Sequence, residues 1–435
     1  MRDVRLGICG LGTVGSGVFN LIRRNSATIA ASANRKVIIE HVGSRRNHPE
    51  CDTSGLRVSK DIFEVAKDPS VDVVAELIGG TTVALDLVMT SIEHRKHIVT
   101  ANKALIAEHG EKIFDAARRH KVMIGYEAAV AGGIPIVKAL REGLSGNHVN
   151  WLAGIINGTS NYILSEMDSK GREFSDVLKE AQKKGYAEAD PTFDIEGIDA
   201  AHKLAILTSL AFSVPLNIED IYVQGITDVD QCDLAFSREL GYAIKHLGIA
   251  RQTQDGIELR VHPTLVPKTS MMAGVNGVLN AVMVNSDAAG STLYYGRGAG
   301  SDPTASSVVA DIIDISRVLG NKEDTWIPAL GCPLDMLAIQ DIVPVDQIET
   351  CFYLRFLMRD KPGALSEVTK ILGDAGISIE AIVQKEPPIG IDFVNVIVVT
   401  DVVVERDLNR ALGKIEKLAT VQGQAVIIRL ERLDQ

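Results

Sequence analysis

The residues best suited to chemistry lie between Gly185 and Lys203. The run Gly185-Tyr186-Ala187-Glu188-Ala189-Asp190-Pro191 is followed by Asp194, Asp199 and Lys203. Asp199 and Lys203 are four positions apart, so on a helix they share a face. At about 100° per residue, Lys203 falls among Ile206, Leu207 and Leu210. A lysine on an apolar face needs a reason, because burying an unpaired ammonium is costly. One reason is an ion pair with Asp199. The other is a closed pocket where Lys203 exchanges a proton with a substrate oxygen. Hydride transfer between an alcohol and a carbonyl needs such a group, since the hydroxyl proton leaves in one direction and returns in the other. Carboxylates such as Glu188 and Asp199 suit a substrate carrying an ammonium, for instance a small amino-acid alcohol. Upstream, Asn157-Gly158-Thr159-Ser160-Asn161 ends a strand-like run and begins a helical one. Its small polar side chains fit either a helix cap or a pocket lining.

A second constellation is Gly10-Leu11-Gly12-Thr13-Val14-Gly15, between an apolar run and a helical pattern. In a dinucleotide-binding turn the first glycine permits the tight bend and the second lets backbone approach a pyrophosphate. The third lets helix and strand pack closely. The helix N-terminus offers unpaired N–H groups to the phosphates. After the next strand-like run, Ser44-Arg45-Arg46 stands where an acidic residue would select NAD. These arginines either meet a 2′-phosphate, favouring NADP, or form a solvated surface pair. Gly79-Gly80 and Thr100-Ala101-Asn102-Lys103 follow two further strand-like runs. Lys103 reads either as a surface lysine or as a neighbour of nicotinamide and substrate.

The elements that must position these groups follow from periodicity. Strand-like runs at 4–9, 37–42, 71–78, 97–100 and 122–126 alternate with helical stretches such as 14–24 and 111–120. That alternation predicts an α/β fold, a Rossmann-type doubly wound parallel sheet, in a nucleotide-binding domain over 1–146. Residues 147–300 read as an α+β substrate and dimerisation domain, with strands at 149–156, 256–266 and 281–284 around a helix at 199–212. The helix 301–319, with Ser301 or Asp302 as its cap and Pro303 in its first turn, is expected to return to the first domain within a segment 301–330. Residues 331–349 read as a linker. Residues 350–435 show strand-helix-strand-strand-helix-strand, the ferredoxin-like order.

Composition narrows the classes of function. The chain has 435 residues and a formal net charge of −11, which argues against a nucleic-acid partner. No uncharged stretch is long enough to span a membrane. Five dispersed cysteines and the lack of an apolar leader make the cytoplasm the expected compartment.

The segments Gly154-Ile155-Ile156-Asn157-Gly158-Thr159-Ser160-Asn161, Gly185 to Pro191 and Gly197-Ile198-Asp199-Ala200-Ala201-His202-Lys203-Leu204 resemble homoserine dehydrogenases. The glycine-rich start, Thr100 to Lys103 and Gly296-Arg297-Gly298-Ala299-Gly300 resemble that family too, so the likeness spans residues 1 to 330. It implies interconversion of L-homoserine and L-aspartate 4-semialdehyde with NADP or NAD, in the biosynthesis of threonine, methionine and isoleucine. It implies Lys203 as proton donor or acceptor, with Glu188, Asp199, Asp194 and Lys103 on the substrate. Gly10 to Gly15, Arg45, Lys103, Gly185 and Gly300 are the implied cofactor contacts. The loop Glu127-Ala128-Ala129-Val130-Ala131-Gly132-Gly133-Ile134-Pro135 resembles one that holds a monovalent cation, usually sodium, through Glu127, Val130, Gly132 and Ile134. His202 stands where some members have arginine, which touches no implied role. The tail resembles an ACT domain at Asp360-Lys361-Pro362-Gly363-Ala364-Leu365 and Gly376-Ile377-Ser378-Ile379. It implies feedback by L-threonine and a homodimer or homotetramer. With no kinase region ahead of the first domain, a monofunctional enzyme is expected.

Two other readings compete. An aspartate-semialdehyde dehydrogenase would need a thiolate nucleophile, and none of the five cysteines has a suggestive setting. A non-catalytic regulator that binds nucleotide and amino acid would fit the ACT-like tail.

Overall fold

The computed structural model describes residues 2–46, 48–320, 326–385 and 392–433. The chain divides into two compact units, one of 1–158, 199–221 and 279–340, the other of 159–198, 222–278 and 341–435. The segment 147–300 contributes to both. The strand Val149–Ile155 belongs with the first unit because its antiparallel partner is the distant Leu279–Ser286, a pairing that local periodicity does not encode.

In the first unit six parallel strands form one sheet: Val4–Cys9, Val37–Gly43, Arg57–Ser59, Val73–Glu76, His97–Thr100 and Ile124–Gly125. Numbered along the chain, their order across the sheet is 3-2-1-4-5-6, the doubly wound nucleotide-binding order. The runs are apolar because helices cover both faces. Leu6, Ile8, Phe19, Val73, Ala75, Val308 and Ile312 share one core. Register sets the carboxyl ends level. Cys9 lies beside Gly43 and Glu76, and Glu76 beside Thr100. The loops after these four strands therefore leave from one edge of the sheet.

The helix Ser301–Val318 packs on the first helix, Thr13–Arg24. Gly17 makes this approach possible, since a Cβ there would lie 2.6 Å from Ser301 Oγ. The cap expected from Ser301 or Asp302 is absent. The capping position is Gly300, at φ 117° and without a side-chain bond. Ser301 is already helical and faces Gly17, while Asp302 pairs with Arg24 at 3.3 Å. The same unit holds an antiparallel trio, Val149–Ile155, Leu279–Ser286 and Gly290–Arg297. It also holds nearly all of the largely buried helix Ile198–Phe212.

The second unit contains the antiparallel pair Tyr242–Gln252 and Ile257–Pro267. The first of these strands escapes sequence reading because Lys245, His246, Gly248 and Arg251 interrupt its apolar pattern. The C-terminal module has strands Glu349–Arg359, Ile379–Gln384, Phe393–Thr400 and Val421–Leu430, with helices Ala364–Asp374 and Glu405–Ile415. Phe352, Leu354, Val368, Val396, Leu408 and Leu412 fill its core. Its last strand runs parallel to Ile257–Pro267, with Thr264 beside Arg429 and Leu265 beside Leu430. The module therefore continues the sheet of its neighbour. A buried charge cluster fastens the join. Arg260, fully buried, donates to Glu258 and Glu431 at 2.9 and 2.8 Å, and Arg251 donates to Glu431 at 2.8 Å. Within the expected linker, Asp341 and Val343 hydrogen-bond to the backbone of Ile257. No helix among the described residues is long and apolar enough to cross a membrane.

Candidate active site

The glycine loop leaves the end of the first strand, and its three glycines have different surroundings. Gly10 adopts φ +96°, and a Cβ there would lie 2.7 Å from Leu77 O. At Gly15 a Cβ would lie 1.9 Å from Gly10 O. Both are therefore fixed by the turn itself. At Gly12 a Cβ would meet nothing within 4 Å. Gly12 also caps Thr13–Arg24 without a side-chain bond, so the space before the helix N-terminus is open. Leu11, Thr13 and Val14 complete the loop. Arg45 is exposed, just beyond the carboxyl end of Val37–Gly43. Gly300, a further expected cofactor contact in this unit, caps the returning helix.

A residue that sequence reading passed over organises this edge. Glu76, fully buried at the end of its strand, accepts from Thr100 Oγ1 at 2.5 Å and from the backbone N–H groups of Ile78 and Gly79. Burial raises its pKa, against the lowering pull of these donors. Asn102 donates to Gly80 O and accepts from Leu105 N, which caps Lys103–His120. The loops 77–80 and 101–103 are thus tied together. The available signal was an acid closing an otherwise apolar strand.

Lys103 is the first residue of that helix, and its Nζ lies 3.0 Å from Asp199 Oδ1. Lys203 Nζ donates to Asp199 Oδ2 and to Ile156 O, both at 2.7 Å. Asn157 Nδ2 donates to the same Asp199 oxygen at 2.8 Å. The Asp199 side chain, 5% exposed, is thus held between two ammonium groups. Burial pushes its pKa up, but Lys203 and then Lys103 outweigh this and hold it well below the carboxylate range. The ion pair expected between Asp199 and Lys203 exists. Lys103, nearly a hundred residues away, turns it into a bridge. Asn157, read as a cap or pocket lining, is a hydrogen-bond donor to the bridging carboxylate.

Gly185, Glu188 and Asp194 belong to the second unit. Gly185 adopts φ +73°. Glu188 is exposed, on the loop that precedes the short helix Thr192–Ile195 carrying Asp194. Ser160 Oγ donates to Asp194 O at 3.0 Å, and Thr159 Oγ1 to Tyr186 O at 2.7 Å. Thr159 and Ser160 therefore anchor the two ends of the loop-and-helix segment that bears all three.

The glycine-rich loop after Ile124–Gly125 turns through Ala131 and Gly132, at φ +54° and +50°. Glu127 is buried, and its carboxylate accepts from Val137 N at 2.9 Å and Lys138 N at 2.8 Å. Its own N–H donates to Asp311 Oδ2 at 2.8 Å. Ser307 donates to Gly132 O, and Ile136 N to Ile134 O. Val130 is fully buried. Burial, then Asp311, pushes the Glu127 carboxyl up to about 7, and burial pushes Asp311 up to about 6. The nearest ammonium, Lys138 Nζ, lies 3.9 Å from Asp311 Oδ1 and is bound more closely by Asp314, so the two buried carboxyls are poorly neutralised. Among the described residues no group of three or more His, Cys, Asp or Glu side chains could hold a metal. A hard monovalent cation on carbonyl oxygens and Glu127 fits this charge balance.

Comparison with known proteins adds three kinds of likeness. Residues 10–127 match the homoserine dehydrogenase NAD-binding domain, 135–313 match homoserine dehydrogenase, and 352–420 match the ACT domain. Over 434 residues the chain is 54% identical to a homoserine dehydrogenase of Pseudomonas aeruginosa, covering 100% of both chains. It is 47% identical to one of Neisseria gonorrhoeae, again covering 100% of both. The crystal structure of a homoserine dehydrogenase from Thiobacillus denitrificans superposes with a TM-score of 0.94 at 50% identity, covering 100% of this chain and 99% of that one. The chain belongs to the homoserine dehydrogenase family of oxidoreductases.

Proposed function

We propose that the chain interconverts L-homoserine and L-aspartate 4-semialdehyde with NADP or NAD, in the biosynthesis of threonine, methionine and isoleucine. One observation carries the mechanism: the buried Asp199 carboxylate binds the ammonium groups of both Lys203 and Lys103. A bound nicotinamide would supply the hydride acceptor for the alcohol carbon, or the hydride donor for the aldehyde carbon. Lys203 handles the matching proton. In the reductive direction its ammonium gives a proton to the oxygen as negative charge develops there. In the oxidative direction the amine takes the hydroxyl proton. Asp199 stabilises the charged lysine, so Lys203 stands loaded for donation. Glu188, Asp194, Asp199 and Lys103 are assigned to substrate binding.

The nucleotide rests on Gly10, Leu11, Gly12, Thr13, Val14 and Gly15, with Lys103, Gly185 and Gly300 as further contacts. Arg45 is assigned to a 2′-phosphate, which favours NADP. Glu127 and the carbonyls of Val130, Gly132 and Ile134 would hold a monovalent cation, most simply sodium, which stiffens the loop. We assign 1–146 with the returning segment 301–330 to nucleotide binding, 147–300 to substrate binding and dimerisation, and 350–435 to regulation by L-threonine. The working form is a homodimer or homotetramer in the cytoplasm.

A spectrophotometric assay tests the reading: L-homoserine with NAD and NADP in parallel, with and without L-threonine. Lys203→Ala should lower turnover by roughly 10²- to 10⁴-fold while nucleotide binding persists. Near-normal turnover in that variant would overturn the mechanism. Absence of any homoserine-dependent reduction would overturn the function.

A further inference from the structure

The second unit contains an open cavity of about 250 Å³ that no step above uses. Its floor is Lys245, on the strand Tyr242–Gln252, only 3% exposed. Lys245 Nζ donates to Val275 O at 2.7 Å and Asn276 Oδ1 at 2.8 Å. An ammonium carries three N–H donors, so one remains. Among the described residues no carboxylate lies within ion-pair distance of it. Burial therefore pulls its pKa down to about 8, opposed only by the field of Asp168. A buried cation with neutral partners at the floor of a cavity is a ready seat for an anion.

The rim narrows the class of anion. Lys268 brings a second ammonium, while Asp168 brings a carboxylate. Arg238 binds one oxygen of Asp168, Oδ1, at 2.8 and 3.2 Å. The other oxygen has no side-chain or backbone partner among the described residues. An inorganic dianion would meet this carboxylate as a like charge. A zwitterion would use both signs. Leu164 and Ile244 form an apolar wall. The volume lies below the roughly 300 Å³ at which drug-sized pockets begin, so the occupant has few heavy atoms.

We propose that this cavity binds a small α-amino acid, with its carboxylate on Lys245 and Lys268 and its ammonium on the open oxygen of Asp168. None of the residues assigned to catalysis, nucleotide or cation lines it.

Calorimetric titration of the intact protein tests this with glycine, L-alanine, L-serine, L-threonine and L-valine. Propionate, ethylamine and inorganic phosphate serve as probes lacking one charge or the other. At least one amino acid should bind more tightly than propionate or ethylamine. Asp168→Asn should weaken its binding roughly threefold to tenfold while propionate, relieved of a like charge, binds no more weakly than to the wild type. Lys245→Met should weaken both by about tenfold or more. Because Lys245 also braces 275–276, Lys268→Gln, at an exposed position, supplies an independent test and should weaken the amino acid and propionate alike. The proposal is overturned if no amino acid of the set binds, if binding is equal in the wild type and Asp168→Asn, or if phosphate binds more tightly than every amino acid.

Discussion

Replacing Asp199 by asparagine separates a proton-transfer role for Lys203 from a merely structural ion pair. The substitution keeps size and one acceptor oxygen, turns the other acceptor into a donor, and removes the charge between two ammonium groups, at 2.7 and 3.0 Å. At an effective dielectric constant near 20, unit charges 4 Å apart interact by about 4 kcal/mol. About 1.4 kcal/mol corresponds to one pKa unit. The retained acceptor offsets part of this, so protonated Lys203 loses on the order of 3 kcal/mol of support. An ammonium donates only while protonated. Turnover in the reductive direction therefore persists below the Lys203 pKa and is lost above it. The assay is kcat for aldehyde reduction at saturating substrate, measured across pH, so that any loss of substrate affinity drops out. The alkaline limb of Asp199→Asn should lie about two pH units below that of the wild type, with Lys203→Ala as the baseline. A uniform fall in kcat with an unmoved alkaline limb would refute the assignment.

The glycine loop yields a contrast. Gly12→Ala should melt like the wild type yet bind nucleotide at least tenfold more weakly, by about 1.4 kcal/mol, in a fluorescence titration with NADPH; unchanged affinity would remove the phosphates from this position. Gly15→Ala should instead lower the melting temperature, because its Cβ would strike Gly10 O. Sodium, compared with choline at equal ionic strength, should raise the melting temperature of the wild type but not of Glu127→Gln; equal shifts would argue against the cation loop. His97, buried and neutral with its pKa near 4, accepts from Met123 N at 3.0 Å. Its folded-state pKa lies below the unfolded value, so its contribution is complete above about pH 6.5 and is lost as the pH falls toward 4, on the order of 3 kcal/mol. Chemical denaturation across that window should show a shallower acid decline in His97→Gln.

Legibility followed the range of the interactions. The first strand, the glycine turn and the ferredoxin-like tail are local patterns, and the expected runs at 4–9 and 97–100 coincide with observed strands. The Asp199 and Lys203 spacing was equally local. What the residues alone could not reveal was the distant partner. Lys103 stood between a surface lysine and a neighbour of nicotinamide and substrate, with no link to Asp199 until the fold brought them together. Glu76 gave only the weak signal of an acid ending an apolar strand, because its donors come from the loops after two strands. The strand Gly290–Arg297 was missed because glycine, serine and threonine dilute its pattern, and only its ladder with Leu279–Ser286 makes it extended.

The shared sheet in the second unit bears on how such a chain can be altered. Cutting before residue 350 would strip Ile257–Pro267 of its parallel neighbour at Thr264 and Leu265 and leave Arg260 without Glu431. An open apolar edge and an uncompensated buried guanidinium favour self-association over a trimmed, active remainder. Release from any control exerted by the tail is therefore more accessible through single substitutions on its outer surface than through truncation. The same constraint makes the tail a poor module for transplantation, since it carries only half of the seam that holds it.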